Sequence, residues 1–177
     1  MIPYATVYGY LKVVDPITEF IKQNQDGAKT PALPYAAWSE ISSTRISQEH
    51  VSYGEFSLSD STYTENIDVP KLETIQIMFC SKTEKQAANE SIVGYKSAYQ
   101  LADEFLTRLR LNASKVYARS NNIGLMDYRD LSSFSNYLGD IHELRCPVEI
   151  ILSFVSNQQQ SIEKITSVST TTTLQGI

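Results

Sequence analysis

The residues able to do covalent chemistry are few and poorly placed for it. The chain carries two histidines, His50 and His142, and two cysteines, Cys80 and Cys146. There is no His-x-x-x-His pair and no Cys-x-x-Cys pair, the spacings that hold zinc on one face of a helix or in a knuckle. The seven glycines are scattered, so no glycine-rich loop exists to cradle a phosphate, and no Gly-x-Ser-x-Gly elbow exposes a serine nucleophile. Cys80 and Cys146 fall at alternating positions of two apolar runs and read as small buried hydrophobes. His142 lies between Asp140 and Glu143, with no nucleophile spaced to use it. Glu143 and Arg145 alternate along one strand face, a solvated or interface pattern. Asp127 and Asp130 lack the turn-and-ligand spacing of a calcium loop. No catalytic residue, metal or cofactor is expected.

Composition agrees. The 177 residues are 42% hydrophobic and 20% charged, with a net charge of −5, which describes a folded domain whose business is not gripping nucleic acid. At about 150 residues per domain this is one unit. The charge is unevenly spread. Between Ser47 and Ile75 stand six acids (Glu49, Glu55, Asp60, Glu65, Asp68, Glu73) and one base, Lys71, leaving 14 acids and 14 bases elsewhere. The apolar run Val148–Val155 is far short of the ~20 residues of a membrane span, and Met1–Tyr10 lacks the pattern of a secretory signal. The expectation is a protein made in a cytoplasm, with reduced thiols and no membrane.

The elements that must position these residues follow from periodicity. Tyr4–Gln25 reads as a first helix with a break near Val14–Asp15, where Pro16 intervenes. Asn24–Pro34 is a loop and Tyr35–Thr44 a strand. Ser47–Tyr63 has no clean period and is predicted to project as a long excursion, with a hairpin at Gly54 or Ser59–Ser61. Its aromatics and acids, Tyr53, Glu55, Phe56, Asp60, Tyr63 and Glu65, are candidates for a protein interface, aromatics giving contact area and acids partner choice. Glu73–Ser81 alternates as a strand. Thr83 and Gln86 have capping-box spacing, and the helix they open is predicted to run to about Asn112 on a stripe that includes Ile92, Tyr95, Tyr99, Ala102, Phe105 and Leu109. Ile123–Tyr128 is a short strand and Asp130–Gly139 a connector. Glu143–Val155 is the clearest strand, with Leu144, Cys146, Val148, Ile150, Leu152 and Phe154 on one face. Pro147 marks a bulge or an edge within it. Asn157–Ile177 reads as a β-prone tail whose Ile162, Ile165 and Val168 can dock on a neighbour. The fold class is α+β, an α/β sandwich: one mixed, largely antiparallel sheet with two main helices packed on one face. The domain spans 1–156, with the excursion at about 47–66 and the tail at 157–177.

The order of these pieces resembles the neck and tail terminator proteins of tailed bacteriophages, over about residues 4–155. The likeness rests on Pro34-Tyr35 entering a strand, the strand Glu73-Thr-Ile-Gln-Ile-Met-Phe79, and the helix Ala98-Tyr-Gln-Leu-Ala102 with a downstream Leu-Thr-Arg-Leu. It continues in Ile123-Gly-Leu-Met-Asp-Tyr-Arg-Asp-Leu131 and in Glu143-Leu-Arg-Cys-Pro-Val-Glu149, where Arg145 is a further interface candidate. Cys146-Pro147 stands where such families carry an aromatic-x-hydrophobic run. The resemblance implies a structural virion protein, assembled in the host cytoplasm and resident in the neck. Its role would be a homo-oligomeric, hexameric ring that caps the tail tube and joins it to the head-side connector. In contractile tails the ring also touches the sheath. DNA would pass through its lumen without specific binding, past a lining that six copies of a −5 chain leave neutral or repulsive. The alternatives are another head–tail connector, a head-completion or tail-tube protein, or a small enzyme working through a cysteine.

Overall fold

The computed structural model describes residues 1–23, 31–57, 62–130, 134–138 and 141–163. Helix α1 spans Tyr4–Val14 and buries Val7, Tyr10, Leu11 and Val14, positions three and four apart that share one helix face. It does not continue to Gln25 as the sequence period suggests. The residue before a proline avoids the helical region, and Asp15 is extended at φ −134°, ψ 95°. Its carboxylate accepts from the Ile17 N–H at 3.2 Å and from the Thr18 hydroxyl, closing a local turn that competes with the helix. The chain then enters β1, Phe20–Lys22, so Phe20 and Ile21 belong to the sheet.

The remaining strands are β2 (Tyr35–Arg45), β3 (His50–Ser57), β4 (Thr62–Lys82), β5 (Ile123–Asp130), β6 (Phe134–Leu138) and β7 (Ile141–Glu163). They form one seven-stranded sheet in the order β1-β2-β4-β7-β5, with β3 also on β4 and β6 also on β7. Among the described residues only the β1–β2 pair is parallel. The sheet is thus mixed and largely antiparallel, as its residues imply. Two long strands form its spine. β4 and β7 pair without a register shift from Thr62↔Glu163 to Lys82↔Glu143, a ladder of about 70 Å at ~3.3 Å per residue. On the outer side of β4, β2 is followed end to end by β3. On the outer side of β7, β5 is followed by β6. Pro147 faces Met78 in β4 and falls, on its other side, between the Asp130↔Val148 and Phe134↔Arg145 pairs. It therefore occupies a local edge without a bulge, where a missing N–H is tolerated.

The predicted single helix from Thr83 to Asn112 is two helices, with a third beginning at its expected end. Thr83 caps α2, Glu84–Asn89, through a capping box with Gln86. Ser91 and Gly94 then take positive φ, 52° and 72°, which ends the helix. Ser97 and Gln100 form a second capping box that starts α3, Ala98–Leu109, and α4 covers Asn112–Ser120. Ile92 and Tyr95 consequently sit in the connection and leave the stripe.

Three helices, one more than expected, cover the sheet. Leu101, Ala102, Phe105 and Leu109 of α3, the buried face of α1, and Ala118 of α4 meet Ile75, Ile77, Phe79, Cys146, Val148, Ile150 and Leu152 in one core. Phe20, Phe79 and Phe105 form an aromatic trio with centroids 5.4–6.4 Å apart, geometry that adds to the burial of their area. Gly9 of α1 faces Tyr117 of α4 so closely that a Cβ would overlap the tyrosine hydroxyl. That close approach explains a glycine inside a helix, where it otherwise costs stability.

Candidate functional site

Three places concentrate polar or exposed groups: an arm, a groove and a buried cluster. The arm is the end of the spine beyond the helices. Core members of β4 lie between Ile75 and Phe79, whereas among the described residues Thr62–Asp68 pairs only with β3 and β7. A sheet segment without a layer on it forms by pairing and not by burial, which is why its residues show no apolar alternation. Here Tyr53 is 65% exposed and Val51 is 43% exposed. Register places Tyr53 opposite Glu65, and Phe56 opposite Tyr63, which in turn faces Ile162 of β7. Glu55 lies at the irregularity between Tyr53 and Phe56. The excursion is therefore built on two antiparallel strands, β3 and β4, with Gly54 inside the first. The structure brings Tyr53, Glu55, Phe56, Tyr63, Glu65 and Ile162 onto one ribbon. Asp60, Ile165 and Val168 lie outside the described residues. The segment read as a tail from Asn157 onward begins as strand, since β7 continues in register to Glu163.

Glu73 departs from the acidic surface to which its sequence neighbourhood assigned it. It is buried at 1% exposure, and its Oε2 accepts the Ile2 N–H at 2.7 Å. Burial pushes its carboxyl above the usual range, with the Ile2 hydrogen bond opposing. No residue period reveals this, because the partner comes from 71 residues away.

The groove lies at the far end of the spine, between the turn after α1 and α3. It encloses about 410 Å³ and is lined by Asp15, Ile17, Thr18, Val93, Glu104 and Arg108, among others. Its aspartate, glutamate, lysines and arginine are all in ion pairs. Arg108 Nη1 donates to Asp15 Oδ1 at 2.6 Å and Nη2 to Glu104 Oε2 at 3.1 Å, a clamp that ties the α1 turn to α3. Ile17 and Val93 at its mouth are 82% and 97% exposed. Sequence reading missed this groove. Asp15-Pro16-Ile17-Thr18 is the one local signal, as an aspartate-led turn.

Arg145, the remaining candidate, is not on the arm. It pairs with Cys80, fifteen residues along β7 from the Gln160 that faces Glu65, or about 50 Å away. Its Nε and Nη2 donate to Glu143 Oε2 at 3.0 and 2.8 Å, while the Tyr35 hydroxyl donates to Glu143 Oε1 at 3.0 Å. Glu143 is buried, so this is a compensated buried pair. Burial works to lower the Arg145 pKa, but the hydrogen bond and charge of Glu143 outweigh it and the net shift is upward. Burial, then the neighbouring Cys80 and Glu143, push the Tyr35 hydroxyl up. The Cys80 thiol is pushed up to about 12, chiefly by burial and then by the Glu143 charge. It is thus a protonated core group at neutral pH. Among the described residues no group of three His, Cys, Asp or Glu side chains is placed to hold a metal, and no helix is long and apolar enough to cross a membrane.

These features define an α+β protein whose distinguishing parts are surfaces, an unlayered strand ribbon at one end and an apolar-rimmed groove at the other. The family described as phage neck terminator protein matches residues 4–177. The chain belongs to that family, and with it to the structural proteins of the bacteriophage neck. No curated protein matches the chain.

Proposed function

We propose that this protein is a tail terminator without catalytic activity: a hexameric ring that caps the tail tube and joins the tail to the head-side connector. Family membership over residues 4–177 is the observation that carries this reading. The physics of the chain supports it. A closed ring needs two different, mutually complementary surfaces on each copy, and a rotation that closes. The arm presents two different edges, β3 and β7, on opposite sides of β4, and the groove end stands apart from them at the other end of the spine. The commitment of Asp15, Glu104, Arg108, Glu143 and Arg145 to one another leaves these groups as scaffolding. On this reading the partners are further copies of the chain, the tube protein, the head-side neck protein and, in a contractile tail, the sheath. DNA crosses the lumen unbound. The arm residues Tyr53, Glu55, Phe56, Asp60, Tyr63 and Glu65, with Ile162, Ile165 and Val168 beyond, supply the contacts between copies or to the tube.

Phage particles made without this protein test the proposal. Removal of a cap is expected to give tubes of uncontrolled length that fail to join heads, with added protein restoring one ring per tail. Tubes of normal length joined to heads would contradict it. Many stacked copies along the tube would identify a tube protein instead.

A further inference from the structure

We infer that copies of this chain pair edge to edge through the arm, the outer edge of β3 in one copy lying parallel to the outer edge of β7 in the next. The inference rests on the ring reading and names its interface.

Both edges are open among the described residues. β3 pairs with β4 alone, and β5 stops at Ile123↔Phe154, so β7 from Val155 to Glu163 has β4 on one side only. An open edge presents a row of unpaired N–H and C=O groups, and proteins ordinarily blunt it with lysine, proline, a bulge or brevity. Elsewhere this sheet does so. β1 is three residues long and carries Lys22, and β5 ends in Asp127, Arg129 and Asp130. In contrast, Val155–Glu163 contains no lysine and no proline, and its one ionisable residue is the last.

The two edges also match each other. Ser52 faces Asn66, which faces Gln159, so the edges stand level on opposite sides of one strand. Level edges are what a rotation about an axis near the strand direction brings together. Each is antiparallel to β4, so the two run in the same direction and their contact is a parallel pair. The irregularity after Tyr53 limits the straight part of β3 to His50–Tyr53, which is level with Asn157–Gln160. His50–Tyr53 and Asn157–Gln160 contain no aspartate, glutamate, lysine or arginine, so no like charges oppose directly across the contact. Exposed Val51 and Tyr53 flank the same edge and lose water when it is paired. Six copies joined this way would close about eighteen strands, and barrels of ~16–18 strands leave an open channel.

Cysteine pairs in the full chain test this. Ser52→Cys is combined in turn with Asn157→Cys, Gln159→Cys and Ser161→Cys, and the protein is oxidised after assembly on tail tubes. Within one copy these positions are two strands, or about 9.6 Å, apart, beyond the ~7 Å limit of a disulfide. Bonds can therefore form only between copies, and native Cys80 and Cys146 are buried. The expected result is a ladder of linked species rising to six, dominated by one of the three pairs, with no linkage from the single variants. A ring present by native mass spectrometry but unlinked by every pair would overturn the inference and leave the ring reading standing. Linkage from Gln159→Cys alone would mean a two-fold contact and overturn it. Linkage only after truncation at Glu163 would mean that residues 164–177 of the same chain occupy the edge, and would also overturn it. Absence of any ring, free or on tubes, would remove both.

Discussion

The same two strands pass through two unlike regions. Between Ile75 and Phe79 of β4, and between Cys146 and Leu152 of β7, every second side chain is sealed beneath α1, α3 and α4. Beyond Val69 and Ser156 the ladder continues for seven more pairs with none of the described helices over it, and Tyr53 and Val51 stand in solvent. One backbone pattern thus serves two ends. In the covered half, burial of apolar surface holds the fold. In the arm, pairing alone holds the strands, and the free energy of burial is still to be gained from a partner. A structural protein that must be folded before assembly, yet be stabilised by it, can separate the two jobs along one ladder.

The largest effect should come from a charge placed in the covered half. Ile150 is fully buried, and Ile150→Asp strands an unpaired carboxylate, at a cost of about 4 kcal/mol or more. No cooperative unfolding transition and no soluble protein are expected. A folded variant would reverse the assignment of strand faces. Arg145→Ala comes next. It leaves Glu143 buried without its ion partner, a loss of about 3 kcal/mol in denaturant unfolding, and Glu143→Gln in the same chain should return part of it. Gly9→Ala should cost about 1–2 kcal/mol by overpacking against Tyr117, and Tyr117→Phe should return part of it.

A smaller effect, with a pH signature, belongs to Glu73. Its folded pKa lies above the unfolded carboxylate value of about 4.3. Its contribution to stability is therefore fully present below the unfolded value and is lost as pH rises through the folded one. Glu73→Gln removes that loss. The variant should melt a few degrees above the parent at neutral pH, about 1 kcal/mol of stabilisation, and the gap should close as the pH falls toward 4. The smallest effect on folding is expected in the arm. Tyr53→Ser should change unfolding stability by no more than about 0.5 kcal/mol while weakening assembly onto tubes. A large loss of monomer stability would erase the distinction between the two halves.

The covered half was legible because burial writes a period into the chain. Ile75, Ile77 and Phe79 alternate, as do Cys146, Val148, Ile150 and Leu152, and both strands stand where that alternation puts them. The arm left no such mark. Thr62-Tyr-Thr-Glu-Asn-Ile-Asp68 has no apolar face, so its extension of β4 and the extension of β7 to Glu163 emerge only from pairing. Helix ends were legible where caps are spelled out, as at Thr83 and Gln86. The second box at Ser97 and Gln100 was written just as plainly, but the apolar spacing of Ile92 and Tyr95 masked the break before it. Among the described candidate residues, Tyr53, Glu55, Phe56, Tyr63 and Glu65 share the arm as neighbours in sequence, and Ile162 joins them through the β4–β7 register. Arg145 does not, and the strand register that puts it beside Cys80 and Glu143 is invisible to composition and spacing.

Amide hydrogen exchange, compared between the free protein and the protein assembled on tail tubes, tests the division of labour most directly. In the free state, slow exchange is expected at Ile75–Cys80 and Cys146–Leu152 and fast exchange at His50–Tyr53 and Ser156–Glu163. Assembly should leave the first set unchanged and slow the second. Arm amides that exchange equally fast in both states, with new protection confined to the helices, would contradict the account.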